Sequence, residues 1–182
     1  MSDGQESVME MHNPVAAMPP RRLEVWLPIL IVAVDQLTKW MVRQMLPLSN
    51  SVTVVDGFVN ITHVQNAGAA FGILNTAEFP FKSVLIAVIA TAALVGVGVY
   101  AASLAHHQRV ARIGLALIIG GATGNLIDRI LAGSVVDFVD VYYRTYHFWA
   151  FNVADSAISV GVAIMIFDML GLEKLFSRSA GL

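Results

Sequence analysis

Four membrane-spanning helices with a small β-hairpin or sheet cradle on the outer face are what this sequence predicts, an all-α membrane protein apart from the cradle. Three observations lead there. Only 13% of its 182 residues are charged and 57% are hydrophobic, whereas soluble domains run to roughly a quarter charged and half apolar. Four apolar stretches approach the ~20 residues that a spanning helix needs. After the first of them, Val52-Thr53-Val54-Val55 and Phe58-Val59-Asn60-Ile61-Thr62 flank Asp56-Gly57, a strong hairpin signal.

The stretches are unequal. The first runs over about residues 24–45 and carries Asp35, Lys39 and Arg43. The second, about 83–105, has no Asp, Glu, Lys or Arg from Ser83 to Gln108. The third, about 110–131, has fifteen uncharged residues between Arg112 and Asp128, and a row of small residues, Ala116, Gly120 and Gly124 with Gly121 beside them, along which a neighbouring helix can approach closely. The fourth, about 155–172, opens at Asp155 and holds Asp168 near its far end. Polar groups in these stretches must face protein or the interface rather than lipid.

Lys and Arg outside the helices set the orientation. Arg21 and Arg22 precede the first span, Arg109 and Arg112 lie around the turn between the second and third, and Lys174 and Arg178 follow the fourth. Both termini are therefore expected in the cytoplasm, with residues 46–82 and 132–154 outside. Lys39 and Arg43 oppose this rule near the outer end of their helix, which implies that partners hold them. Residues 1–22 read as a flexible cytoplasmic tail, 23–173 as one transmembrane domain and 174–182 as a cytoplasmic C-terminal tail. A cleavable signal peptide over residues 1–45 is the alternative, but the apolar stretch continues through Asp35 and Lys39 without a small-residue cleavage site.

Several chemistries fall away. The chain has no cysteine, hence no disulfide, thiolate metal site or cysteine nucleophile. It shows no His-Glu-x-x-His pair, Gly-x-Ser-x-Gly elbow or phosphate loop, and no basic run for nucleic acid.

The polar residues beside the spans are the candidates. Asp35 and Lys39 stand four apart, acid first, and can pair on one helix face. Asn66-Ala67-Gly68-Ala69-Ala70-Phe71-Gly72 is either a tight turn or a place where Asn66 presents an amide and Gly68 admits a substrate backbone. Asn125, Asp128 and Arg129 close the third span. Asp128 suits a structural ion pair, while Asn125 and Arg129 could bind a polar group. Asp137 reads as a loop residue or a catalytic acid, and Asp155 as a helix N-cap or its catalytic partner. Asn152, three residues before Asp155, can orient a carboxylate or bind a backbone carbonyl.

In order, Asp35-Gln36-Leu37-Thr38-Lys39, the Asn66–Gly72 segment, Gly120 to Arg129, Val135-Val136-Asp137-Phe138 and Phe151-Asn152-Val153-Ala154-Asp155 resemble bacterial lipoprotein signal peptidase, the type II signal peptidase, over about residues 24–172. The resemblance implies an intramembrane aspartyl endopeptidase of the bacterial inner membrane. Such an enzyme removes the signal peptide from diacylglyceryl-modified prolipoproteins, cutting before the lipidated cysteine, with neither metal nor cofactor. It implies Asp137 and Asp155 as the catalytic dyad, and Asn66, Gly68, Asn125, Arg129 and Asn152 as substrate-binding residues. Asp35, Lys39 and Asp128 become structural support, the active site faces outward, the acyl chains stay in membrane lipid, and globomycin-type cyclic peptides inhibit. A small transporter or proton-coupled channel would instead line a path through the bilayer with polar groups. A membrane scaffold would tolerate Asn at both aspartates.

Overall fold

The computed structural model describes residues 22–68, 81–105 and 107–171. The expectations for both tails, for Ala69 to Gly72 and for Leu172 lie outside these residues. The element order is α1 (Arg22–Met45), β1 (Ser51–Val55), β2 (Val59–Asn66), α2 (Lys82–Ser103), α3 (Arg109–Ala132), β3 (Val135–Tyr143), β4 (Tyr146–His147) and α4 (Val153–Met169).

Among the described residues, three helices are long and apolar enough to cross a membrane: Val25–Met45, Lys82–Ser103 and Arg109–Ala132. The fourth expected span is α4, with 17 residues. Helix α2 buries Ile86 but exposes Val84, Leu85, Val88, Ile89, Val95 and Val99. So continuous an apolar face would be an aggregation hazard in water and is an ordinary lipid-facing surface in a bilayer.

Helix α3 is the central element, with α1, α2 and α4 packed around it. Its small residues face different neighbours. A Cβ on Gly120 would press on Pro28 and Ile31 of α1, one on Gly121 would collide with the Ala154 carbonyl of α4, and one on Gly124 would collide with the Asp35 carboxylate. Farther along, Gly114 meets Gly161 across the α3–α4 contact. The row of small residues thus serves two helix interfaces, where dispersion between closely approaching backbones replaces the missing hydrophobic drive. Helix α3 ends at Gly133, whose φ of 72° is the left-handed cap conformation that glycine adopts without strain.

The hairpin around Asp56-Gly57 forms, with β1 antiparallel to β2 and Gly57 at φ 74°. The sheet is larger than that hairpin: its order is β1-β2-β3-β4, with antiparallel neighbours throughout. Asp137 lies in the strand β3, so the reading of it as an ordinary loop residue is corrected. Val135, Val136, Asp137 and Phe138 are buried consecutively because β3 is covered on both faces. A doubly covered strand loses the polar–apolar alternation that marks a surface strand. Val136 and Phe138 form a core with Val42 of α1, and Ile61, Val139 and Val153 pack against it. Sheet, α1 and the start of α4 therefore share one apolar centre.

Candidate active site

Two local devices bring Asp137 and Asp155 together. Phe151 forms an isolated antiparallel bridge with Val139: its carbonyl accepts from the Phe138 and Val139 amides and its own amide donates to the Val139 carbonyl. That tether sets Asn152 beside β3. Asn152 then caps α4, accepting from the Asp155 amide at 2.9 Å, while Asp155 Oδ2 accepts from the Asn152 amide at 3.2 Å. The pair is a reciprocal capping box, with Asn152 at the N-cap and Asp155 three residues on, a correction to the N-cap reading of Asp155.

The orientations of the asparagine side chains follow from their partners. Asn152 Oδ1 faces a backbone N–H, so its Nδ2 faces the other way and donates to Asp137 Oδ1 at 2.7 Å. Asn125 Oδ1 accepts from Lys39 Nζ at 2.8 Å and from Asn152 Nδ2 at 3.2 Å, which leaves its Nδ2 to donate to Asp155 Oδ1 at 2.8 Å. Asn66 Oδ1 accepts from the Gly68 amide at 2.9 Å, and its Nδ2 donates to Asp137 Oδ2 at 3.1 Å. All four oxygens of the two carboxyl groups therefore have a donor. Asn152 is fully buried with both side-chain ends engaged.

Beneath this layer lies an ionic network. Lys39, completely buried, pairs with Asp35 Oδ2 at 2.8 Å and Asp128 Oδ2 at 3.1 Å, and with Asn125 its three ammonium hydrogens are all engaged. Arg43 pairs with Asp128 Oδ1 at 2.9 Å. Both cations that oppose the orientation rule are thus held by carboxylates. Gln36, which sequence reasoning passed over, joins Asp35, Asp128 and the Gly124 carbonyl. Its place within Asp35-Gln36-Leu37-Thr38-Lys39 was the available signal.

Asp137 is 3% exposed, and its carboxyl is pushed up to about 7. Burial is the main cause, followed by the charge of Asp155. Hydrogen bonds from Asn66 and Asn152 and the charge of Lys39 act in the opposite sense. A carboxyl poised near neutrality can hold or release a proton at working pH, as acid–base catalysis requires. Arg129 donates from Nη1 to the Asn125 carbonyl at 3.1 Å and from Nη2 to the Gly68 carbonyl at 3.2 Å. Beside it a groove of about 440 Å³ opens between α2 and α3, lined by Val84, Ala87, Val88, Thr91 and Ile130 as well as Arg129.

Outside this site, Asp140 accepts from Asn60 and pairs with His147, whose ring stacks on Tyr142. His63 is buried in β2, where its Nδ1 bonds the Leu46 carbonyl.

Residues 27–171 match the family model described as signal peptidase (SPase) II. The chain is 43% identical over 157 residues to the lipoprotein signal peptidase of Solibacter usitatus, covering 84% of this chain and 94% of that protein. To the lipoprotein signal peptidase of Geobacter sulfurreducens it is 44% identical over 143 residues, covering 79% and 88%. Among solved structures, a bacterial membrane enzyme determined by the in meso method at 2.3 Å resolution superposes with a TM-score of 0.74 at 32% identity, covering 82% of this chain and 88% of that one. A second such enzyme, at 1.9 Å resolution, gives a TM-score of 0.72 at 28% identity, covering 82% and 93%.

Proposed function

Because the chain belongs to the signal peptidase II family of aspartic-type peptidases, which act in lipoprotein processing in bacterial membranes, we propose that Asp137 and Asp155 are its catalytic dyad. The protein is then an intramembrane endopeptidase that cuts diacylglyceryl-modified prolipoproteins just before the lipidated cysteine. The observation that carries this reading is the amide cradle: three asparagine side chains and one main-chain N–H deliver a donor to every oxygen of the two carboxyl groups.

Two neighbouring carboxyl groups cannot both ionise cheaply, so one keeps a proton while the other stays charged. The charged member takes a proton from a water held between them, and that water attacks the scissile carbonyl. The protonated member donates to the developing oxyanion and then to the leaving amine. Both titrations belong to the pair, so neither role is fixed to one aspartate. Asn66, Gly68 and Arg129 contact the substrate backbone, while Asn125 and Asn152 serve the reaction chiefly by orienting the carboxyl groups. Asp35, Lys39 and Asp128 hold the frame.

The topology completes the proposal. Helix α4 is the fourth span: 17 residues at ~1.5 Å each come close to the ~30 Å hydrocarbon layer. Both termini are cytoplasmic, and the sheet and dyad lie at the outer boundary of the inner membrane, where a lipid-anchored substrate presents its cleavage site. The groove beside Arg129 suits an apolar segment entering from lipid, and globomycin-type cyclic peptides would compete there.

The test is cleavage of a diacylglyceryl-modified prolipoprotein by the purified full-length protein in detergent micelles. The wild type should release the signal peptide, whereas Asp137→Asn and Asp155→Asn, folded by circular dichroism, should lose at least ~10³-fold in rate. Unchanged cleavage in either variant removes the dyad assignment. A wild type that leaves the modified substrate intact removes the peptidase reading.

A further inference from the structure

The four donors to the two carboxyl groups are not held alike. Asn152 is fixed by the cap of α4, and so is its main-chain N–H. Asn125 is fixed by the buried Lys39 ammonium. Asn66 sits at the last residue of β2, and its side chain is turned by the Gly68 amide two residues on, at 2.9 Å. Across from that turn, Arg129 Nη2 donates to the Gly68 carbonyl at 3.2 Å, while Nη1 is anchored to the Asn125 carbonyl of its own helix at 3.1 Å.

We propose that Arg129 is a positioning residue for Asp137, acting through Gly68 and Asn66. Its guanidinium holds the Gly68 carbonyl, the Gly68 amide fixes which end of Asn66 faces inward, and Asn66 gives Asp137 its second hydrogen bond. A backbone N–H only donates, so it selects Asn66 Oδ1 and directs Nδ2 at the carboxylate. If the turn is released, Asn66 is free to rotate and Oδ2 of Asp137 loses its donor.

This inference deepens the proposed function and rests on it for its catalytic meaning. A substrate backbone that draws Arg129 away from Gly68 would loosen Asn66 and raise the proton affinity of Asp137 at the moment of binding. The charged groups acting on Asp137 are Asp155 from α4, Lys39 from α1 and Arg129 from α3, with Asn66 and Asn152 as neutral donors from β2 and the start of α4.

The experiment follows the Asp137 carboxyl itself. Full-length protein with 13Cγ-labelled aspartate is titrated in micelles by NMR, and Asp137→Asn assigns the resonance. Arg129→Lys keeps the charge but not the planar fork that reaches both carbonyls. Asn66→Ala should move the Asp137 titration upward by about one pH unit, because a donor to the charged form is lost. Arg129→Lys should reproduce most of that shift, and the double variant should shift no further than Asn66→Ala alone. Asn66→Ser, too short to reach Oδ2, replaces the alanine variant if that one does not fold. An Arg129→Lys protein that titrates like the wild type, or a shift that adds in full to that of Asn66→Ala, overturns the proposal. The titration needs no turnover, so its outcome is separate from that of the cleavage test.

Discussion

The carboxylate of Asp35, on α1, accepts a hydrogen bond from the main-chain N–H of Ala154 at 3.0 Å, and Ala154 is the residue immediately before Asp155. Asp128 has the corresponding contact on the other side: its Oδ2 lies 3.4 Å from the N–H of Val136, the residue immediately before Asp137. Lys39 bridges both supporting carboxylates. The ammonium of one lysine thus joins, through two aspartates, the backbone next to each candidate catalytic residue.

Lys39→Met should therefore cost far more than the loss of a surface charge. It strands two buried carboxylates, and breaking a buried pair from one side costs about 3–5 kcal/mol. Equilibrium unfolding in mixed micelles measures this. A loss below ~1 kcal/mol would show that water or Arg43 replaces the ammonium at little cost.

Asn152 carries two duties that substitutions can separate. Asn152→Ser keeps a good N-cap but removes the amide donor to Asp137, so it should cost less stability than Asn152→Ala while cleavage falls at least ~10²-fold. Asn152→Ala removes cap and donor together, and both stability and rate should drop. Cleavage by Asn152→Ser at close to the wild-type rate would mean that orienting Asp137 is not what Asn152 does for catalysis.

Much of this site was legible in the sequence, for a physical reason. Charges within or beside apolar stretches are costly enough that each one signals a purpose, and Asp35, Lys39, Asp128, Asp137 and Asp155 all stood out in that way. The DG turn announced the first hairpin through its demand for positive φ. Strand β3 was not announced, because burial on both faces removes its alternation and leaves a β-branched and aromatic run, Val135 to Tyr143, broken by Asp137 and Asp140. The amide orientations were equally hidden. They depend on which donor faces each asparagine, and those donors come from residues far away in the chain, such as Lys39 for Asn125.

Stability should decline with rising pH through the acid range. Asp137 titrates near 3.8 when unfolded and about 7 when folded. The folded state therefore keeps a proton that the unfolded chain gives up. The stabilisation from this group is complete below about pH 4 and is lost as pH rises toward 7, with a slope of at most ~1.4 kcal/mol per unit. Asp137→Asn should flatten the dependence of melting temperature on pH over this range. An identical slope in that variant would assign the proton uptake to other groups.

Gly121→Ala tests the seating of α4. The added methyl would collide with the Ala154 carbonyl and crowd Ile158. Overpacking of this kind costs about 1–3 kcal/mol, and the displacement falls on the first turn of α4, which bears Asp155. Cleavage should fall more steeply than stability, whereas Gly96→Ala, which meets open space in α2, should leave both nearly unchanged.

The bridge between Phe151 and Val139 has a consequence for biogenesis. Asp137 belongs to the sheet and Asp155 to the last described helix, and they become neighbours only when the segment after β4 has docked along β3 and α4 has packed on α3. A chain emerging into the bilayer with α4 not yet inserted has one carboxyl on a strand and no companion for it. Under the proposed dyad, the peptidase is thereby inactive while its own helices are still being threaded. Completion of the fold is the event that arms it.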